Sequence, residues 1–469
     1  MRVAIKTLGC RQNQYESDAL LESLRREGHL PVGPDDESDL CIVNTCTVTK
    51  EADADSRQMI RRTIRRNPSA RVVVTGCYAQ VAAREIASIP GVDLVAGNAE
   101  KAQLVELVHG LLKGPSPLIA VGDIQRKRTF ESLPPPVDGS RSRAFLKVQD
   151  GCSYRCAFCI IPETRGPNRS QPKEGAMGDL RALLDAGYPE VVLTGIHLGT
   201  YGRDLAARSS IGELLEEMLA FAAPARIRLS SLDPHEVGDD LISLLARHRN
   251  FCRHLHLPVQ SGDDRILKLM RRAHTSGDFR RLVERLVEAV PRIAIGTDII
   301  VGFPGEGGPE FDNTYRLLES LPIAYLHVFT YSRRDGTAAA SMPDQVPKAV
   351  KAERSFALRS LSERKWETFR SRLVGRSFEA VVLDRRDART GQLEALTDNY
   401  VTVCIDTDRR LVGRTVDLTI ESINGRQTFG RLSAEASHAA SPPSPNAGSG
   451  YGPRCDSLGQ PVEGAWPTG

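Results

Sequence analysis

Val148-Gln-Asp-Gly-Cys-Ser-Tyr-Arg-Cys-Ala-Phe-Cys-Ile-Ile-Pro162 is the stretch on which the reading of this chain turns. Cys152, Cys156 and Cys159 form a C-x3-C-x2-C array behind a short apolar alternation, residues 144–149, that reads as a strand. Three thiolates in one loop can hold three corners of a cubic iron–sulfur cluster and leave the fourth iron open to an external ligand. A structural zinc site needs four protein ligands, and no nearby Cys or His completes a tetrahedron. A disulfide would leave one thiol over. The loop therefore reads as an iron–sulfur site, with zinc as the alternative.

Outward from this loop, residues 143–340 alternate strands and helices. Strands are expected at 144–149, 190–194, 226–230, 254–258, 293–301 and 324–330. Each is followed by a polar or glycine-rich loop, among them Gly195-Ile-His-Leu-Gly199 and Gly302-Phe-Pro-Gly-Glu306. Six βα units suit a partial barrel with its functional loops at the C-terminal ends of the strands. A cofactor would lie across that mouth. Gly195 would admit a close approach of backbone to it, and Phe158 offers a flat face to an aromatic ring. Asp298 fits either the mouth or a buried polar network. His197, His254 and His256 read as hydrogen-bonded barrel residues rather than ligands.

Upstream, residues 1–113 also alternate strand and helix, which predicts an open parallel sheet covered by helices. Cys10, Cys46 and Cys77 each fall just beyond the end of an expected strand. In a parallel sheet those ends point one way, and ligands collect in the crevice outside them. Three separate loops should therefore bring three thiols to one edge; the alternative is three unrelated buried cysteines. Cys41, inside the strand at 40–44, reads as packing. Residues 114–142 read as a linker carrying Arg126-Lys-Arg128 and the stiff Pro134-Pro-Pro136. Its basic cluster reads as solvated sooner than as an RNA contact.

Downstream of the barrel, a charged helix at 349–373 ends the unit 143–373. Residues 374–432 then switch to short alternating strands, the pattern of a small β-barrel. Residues 433–469, rich in Ser, Pro and Gly, cannot bury a core and read as a disordered tail, with Cys455 a free thiol and Trp466 an exposed aromatic. The whole is α/β: an N-terminal open sheet, a central partial (βα)6 barrel, a C-terminal β-barrel and a tail. At 469 residues there is room for about three domains. A formal charge of +3 permits a nucleic-acid partner without arguing for one. The sequence holds no run of eighteen apolar residues, so no membrane span is expected. Ten cysteines behind an N-terminus that reads as a strand imply a reducing, cytoplasmic setting.

The spacing of Cys152, Cys156 and Cys159, with Phe158 before the last, resembles the radical S-adenosylmethionine enzymes. The pieces together resemble their methylthiotransferase family over residues 1–431. The motifs that carry the resemblance are Thr7-Leu-Gly-Cys-Arg-Gln-Asn-Gln-Tyr-Glu-Ser17, Val43-Asn-Thr-Cys-Thr-Val48, Val74-Thr-Gly-Cys77, Arg165-Gly-Pro-Asn-Arg-Ser170 and Thr297-Asp-Ile-Ile-Val-Gly-Phe-Pro-Gly305. The resemblance implies two [4Fe–4S] clusters, one on Cys152, Cys156 and Cys159 that binds S-adenosylmethionine, and an auxiliary one on Cys10, Cys46 and Cys77. It implies an RNA-binding TRAM-like domain at 374–432. It also implies an electron donor of flavodoxin or ferredoxin type and a sulfur donor whose identity the sequence leaves open.

Within the family, Asn13-Gln-Tyr-Glu-Ser17 and Leu193-Thr-Gly-Ile-His-Leu-Gly-Thr-Tyr-Gly202 look most like the branch acting on threonylcarbamoyladenosine in the tRNA anticodon loop. The other branches act on isopentenyladenosine in tRNA or on an aspartate of a small-subunit ribosomal protein. Arg11, Gln12 and the run Glu306-Gly-Gly-Pro-Glu310 depart from the usual pattern of the branch and leave the cysteines untouched. The implied chemistry replaces an aromatic C–H by a methylthio group through a 5′-deoxyadenosyl radical. A rival from another class is a non-catalytic metal-cluster RNA-binding protein.

Overall fold

The computed structural model describes residues 1–433 except 115, 138 and 140. The segment 434–469, with Cys455 and Trp466, lies outside the described residues.

The first six strands are β1 (Arg2–Thr7), β2 (Leu30–Pro31), β3 (Leu40–Thr45), β4 (Arg71–Gly76), β5 (Leu94–Ala96) and β6 (Leu118–Ala120). They pair in the order β2-β1-β3-β4-β5-β6, parallel throughout. Every residue of β3 is buried, as expected where helices cover both faces of a parallel sheet. Helices Arg11–Arg26 and Lys50–Arg66 supply that cover. The sheet has two edge strands beyond those legible in sequence. β2 is only two residues long, and β6 lies in the stretch read as a linker, joined to the sheet by its pairing with β5. The same stretch then packs across the molecule: Tyr15 Oη donates to the Leu133 carbonyl and Tyr188 Oη to the Pro136 carbonyl. Arg126 is exposed and paired to Asp123, while Lys127 is tied back to Glu131 and the Ala99 carbonyl.

The central unit is six parallel strands in two runs of three. β7 (Ala144–Lys147), β10 (Glu190–Thr194) and β11 (Arg226–Leu229) pair as β11-β10-β7, and β12 (His254–His256), β13 (Ala294–Val301) and β14 (Tyr325–Thr330) as β12-β13-β14. Single parallel bridges, Ile227 to Phe251 and Ser231 to His256, join the runs into one curved sheet. A short antiparallel pair, β8 (Gln149–Asp150) with β9 (Arg169–Ser170), braces the ends of the three-cysteine loop. Alternate residues of the strands, such as Leu146, Leu193, Leu229, Leu255, Ile295 and Leu326, join one core with the surrounding helices.

Helix Lys348–Ser371 leads to a closed barrel of β15 (Ser377–Arg386), β16 (Leu393–Thr397), β17 (Thr402–Ile405), β18 (Thr415–Asn424) and β19 (Gln427–Leu432). Its own apolar core includes Val382, Val403 and Leu418. It docks on the central sheet through buried arginines. Glu190 receives Arg226 at 2.7 Å, Arg228 at 2.8 and 3.0 Å and Arg143 at 3.0 Å. Terminal N–H groups of the first two also reach barrel carbonyls, Arg226 to Glu379 and Leu396, Arg228 to Thr397 and Asp398. Burial disfavours a charged Glu190, but Arg228, Arg226 and Arg143 outweigh it and hold its carboxyl well below the usual range.

Glu190→Gln is expected to cost about 3–5 kcal/mol, because three buried guanidiniums lose their counter-charge. Denaturant unfolding measures this, with faster amide exchange across 396–398 as the local readout. In the native protein the Glu190 contribution is full above about pH 4.3, the unfolded carboxyl value, and declines only as pH falls through the depressed folded value.

Candidate metal centre

Cys152, Cys156 and Cys159 lie in the loop between β8 and the short helix Ile161–Arg165. The loop is pinned at each end and in the middle. Cys152 N donates to the Gly166 carbonyl, Cys159 N to Cys156, and Ala157 N to Met270, while Ala339 N donates to the Ala157 carbonyl. Gly151 enters the loop at φ +68°, and a Cβ there would stand 2.0 Å from the Pro167 carbonyl oxygen. Only glycine fits this turn.

Cys10 caps the helix Arg11–Arg26, Cys46 follows β3 by one residue and Cys77 follows β4 by one. Parallel pairing of β1, β3 and β4 puts all three at one edge of the sheet. Gly9 at φ +102° has the Cys46 sulfur 3.0 Å from where its Cβ would be, so the Cys10 loop lies directly on Cys46. Cys41 is elsewhere, buried in the core with its sulfur 3.1 Å from Ser38 Oγ.

Within each set the thiols act on one another. Burial pushes Cys46 and Cys159 up to about 12, with the neighbouring cysteines adding to the rise. Cys10 is exposed at its surface yet set in a dense crevice. That crowding raises its pKa, Arg165 opposes the rise, and Cys77 adds to it. Thiols so raised stay protonated until a metal displaces the proton.

The donor chemistry decides which metal group fits. A tetrahedral zinc ion holds sulfurs about 3.8 Å apart, from a Zn–S bond near 2.3 Å. Among the described residues, neither cysteine set brings its three sulfurs within 4.8 Å of one another. Three thiols in one set can instead hold three corners of a larger group, a four-iron cubane with one corner left for another ligand.

Side chains around the sulfurs complete the arrangement. His197 Nδ1 is 3.4 Å from Cys152 Sγ, and its Nε2 is 2.9 Å from the buried Glu236. Burial alone would lower the His197 pKa, but the contacts to Cys152 and Glu236 outweigh it and hold it up to about 9. Arg272 Nη1 lies 3.7 Å from Cys156 Sγ and pairs with Asp233 at 2.5 Å. Asn98 Nδ2 lies 3.7 Å from Cys77 Sγ and donates to the Thr164 carbonyl at 2.8 Å. The contacts of Arg272 and Asn98 to sulfur carry no local signal in the sequence, while His197 is hydrogen-bonded, as expected, with Cys152 as one of its partners.

Two residues singled out in sequence have structural surroundings. Phe158 is half-buried against Ile266, Met270 and Phe303. A Cβ on Gly195 would stand 2.9 Å from Gln149 Oε1 and 3.2 Å from Leu198 Cδ1. Close packing within the protein explains this glycine without any approach of a cofactor.

Arg165, at the end of the helix that follows Cys159, ties the two cysteine sets together. It donates to Glu16 at 2.7 and 3.1 Å, to Asn13 at 2.7 Å and to Asp150 at 3.0 Å. Lys101 and Lys147 also pair with Glu16, and Asn13 in turn donates to the Leu8 and Thr45 carbonyls beside Cys10 and Cys46.

Residues 2–97 match the uncharacterized protein family UPF0004 and residues 146–318 the radical SAM superfamily. The chain is 38% identical over 420 residues to the threonylcarbamoyladenosine tRNA methylthiotransferase MtaB of Bacillus subtilis strain 168, covering 89% of this chain and 93% of that protein. It is 38% identical to the protein of the same name from Aquifex aeolicus strain VF5, covering 86% and 96%. It is also 32% identical to a tRNA-2-methylthio-N(6)-dimethylallyladenosine synthase of Methylacidiphilum infernorum, covering 91% and 94%. Among solved structures it resembles the radical S-adenosylmethionine methyltransferase TsrM from Kitasatospora setae, with a TM-score of 0.51 and 16% identity over 72% of this chain and 76% of that one. This last likeness is one of fold.

Arg165→Met leaves Glu16 and Asp150 buried without their shared guanidinium and is expected to lower stability by about 3–5 kcal/mol. Because Asn13 loses its anchor beside Cys10, iron retention after reconstitution should fall as well. Urea unfolding with iron analysis checks both; wild-type values for the two together would refute the tie.

Proposed function

Because the chain belongs to the radical S-adenosylmethionine methylthiotransferases, we propose that it converts N6-threonylcarbamoyladenosine to its 2-methylthio derivative at position 37 of tRNA, next to the anticodon. The observation that carries the reading is the placement of two three-thiol sets on either side of one short helix, Ile161–Arg165, with Asn98 and Arg165 spanning the gap. A C–H carbon of adenine has no acidic proton, so the reaction needs a radical source and a sulfur source close together. A [4Fe–4S] cluster on Cys152, Cys156 and Cys159 would supply one-electron reduction of S-adenosylmethionine, and one on Cys10, Cys46 and Cys77 would hold sulfur for transfer.

The rest is the work of this chain's own side chains. His197 and Arg272 direct N–H groups at the sulfurs of Cys152 and Cys156, the kind of outer contact that orients metal ligands. Asn98 does the same for Cys77. Gln12, two residues past Cys10, donates to the Gln149 carbonyl and lies 3.4 Å from Thr194 Oγ1, so the N-terminal unit reaches into the mouth of the barrel. The target base, in a loop, can be unstacked and presented to that mouth.

The surrounding phosphates would meet the C-terminal barrel, where Arg386, Arg389, Arg409 and Arg410 are exposed. Lowered salt should therefore strengthen tRNA binding. Among the described residues no helix is long and apolar enough to cross a membrane, in keeping with an enzyme that meets tRNA in the cytoplasm. It would draw electrons from a small flavodoxin- or ferredoxin-like donor.

Cys156→Ala is expected to abolish 5′-deoxyadenosine formation, whereas Cys10→Ala should keep it and stop methylthiolation. Each should retain about four irons against about eight in the parent, and Cys41→Ala should retain them all. Mass spectrometry of tRNA nucleosides from cells with and without the gene tests the substrate. An unchanged 2-methylthio-N6-threonylcarbamoyladenosine signal would reject it.

A further inference from the structure

The two faces of the strands β12, β13 and β14 differ in character. Leu255, Leu257, Ile295, Ile299 and Leu326 point to the helices and join the core. Their alternates, His254, His256, Asp298, Tyr325 and His327, therefore line the inner face of the curved sheet. Register places Asp298 beside His327, and Gly296 between His256 and Tyr325. Gly296 is a necessity, since a Cβ there would stand 2.2 Å from the Tyr325 ring.

Hydrogen bonds on this face converge on one atom. His256 Nε2 lies 2.7 Å and His327 Nδ1 3.2 Å from Asp298 Oδ1. Tyr325 Oη fixes the relay from behind, 2.8 Å from His254 Nε2 and 3.4 Å from His256 Nδ1. No described hydrogen bond reaches Asp298 Oδ2, and the side chain keeps 23% of its surface open. His254, otherwise buried, has its Nδ1 without a partner.

A cation borders the same row of rings. Arg11, the residue after Cys10, donates to Tyr400 Oη at 2.5 Å, and Tyr400 stacks on His254 with ring centroids 4.2 Å apart. Tyr400 also stacks toward Tyr325 at 6.5 Å between centroids, and Tyr325 toward His256 at 6.0 Å, so a row of rings leads from Arg11 to the His256–Asp298 pair. The other guanidinium N–H groups of Arg11 make no described hydrogen bond. The inner face thus offers an open carboxylate oxygen at one side and an under-used guanidinium at the other, beside a thiol assigned to the sulfur-bearing set.

We propose that this inner face is the subsite for the threonylcarbamoyl group of the target nucleoside, with Asp298 Oδ2 accepting from its urea N–H and Arg11 pairing with its carboxylate. The inference rests on the substrate reading above. The chemistry is matched at both ends, since a threonylcarbamoyl group carries N–H donors and an anion a few bonds apart. An isopentenyl group has neither. It would leave Asp298 Oδ2 and the remaining N–H groups of Arg11 stripped of water with nothing to bond, which is the arrangement that rejects an apolar analogue most strongly. The two imidazoles already spend ring nitrogens on Oδ1, which favours a hydrogen-bonding subsite over a bound cation.

The test uses reconstituted enzyme and anticodon stem-loops carrying threonylcarbamoyladenosine as the free acid or as its methyl ester, with Kd read by fluorescence anisotropy. The parent should bind the acid about tenfold or more tighter than the ester, as expected for one charge-assisted pair. Arg11→Gln should bring that ratio near one, and Arg11→Lys should keep most of it. Asp298→Asn should weaken acid and ester alike, leaving the ratio intact. A parent that does not distinguish acid from ester, or an Arg11→Gln variant that keeps the parent's ratio, would overturn the subsite. So would loss of one equivalent of a divalent metal, beyond cluster iron, on Asp298→Asn. A parent that binds the modified stem-loop no better than the unmodified one and leaves it unmodified would instead sink the substrate reading itself.

Discussion

The architecture depends on one buried guanidinium. Arg165 emerges from the helix that follows the three-cysteine loop and crosses to Glu16 and Asn13 on the first helix of the N-terminal sheet. Both partners are almost fully inaccessible to water, so the pair is stable only while each has the other. Lys101 and Lys147 share Glu16, and Asp150 shares Arg165, so the charges form a network rather than a single bond. Such a network suits a site that must hold two groups at a set separation. It resists sliding, because any displacement strands a charge in a medium that cannot solvate it.

The C-terminal barrel is attached by the same logic. Glu190 gathers Arg226 and Arg228 on the inner face of the central sheet, and the free edges of their guanidinium forks grip the carbonyls of 396–398. This fixes the turn that follows β16, and with it Tyr400, whose ring enters the interior beneath His254. Arg11 arrives at Tyr400 from the N-terminal side. Three units of the chain therefore meet inside the central sheet, and its lumen is built by all of them. A barrel anchored in this way is held in a set position relative to the central sheet.

How much of this could be read from the chain alone differs from feature to feature. The strand–helix alternation set out the N-terminal sheet and the central βα units, because buried parallel strands are short apolar runs with polar loops between them. The closed five-strand barrel was legible from the change to short alternating strands. β2 and β6 were not, since two- and three-residue edge strands carry too little pattern to register. Around the cysteines, the contacts of His197, Arg272 and Asn98 to sulfur were not legible. A contact to sulfur across 45 or 116 residues leaves no local trace.

By itself the sequence determined the local chemistry: six cysteines at strand ends and in one tight loop, and the glycines that let that loop turn. Spacing along the chain suffices there, because strand direction alone carries Cys10, Cys46 and Cys77 to a common edge. Only the tertiary structure decided which arginine joins the two sets and which charged groups line the lumen. Those depend on desolvated ion pairs between distant segments. The strength of such pairs comes from burial, and burial is a property of the folded molecule that no stretch of residues carries alone.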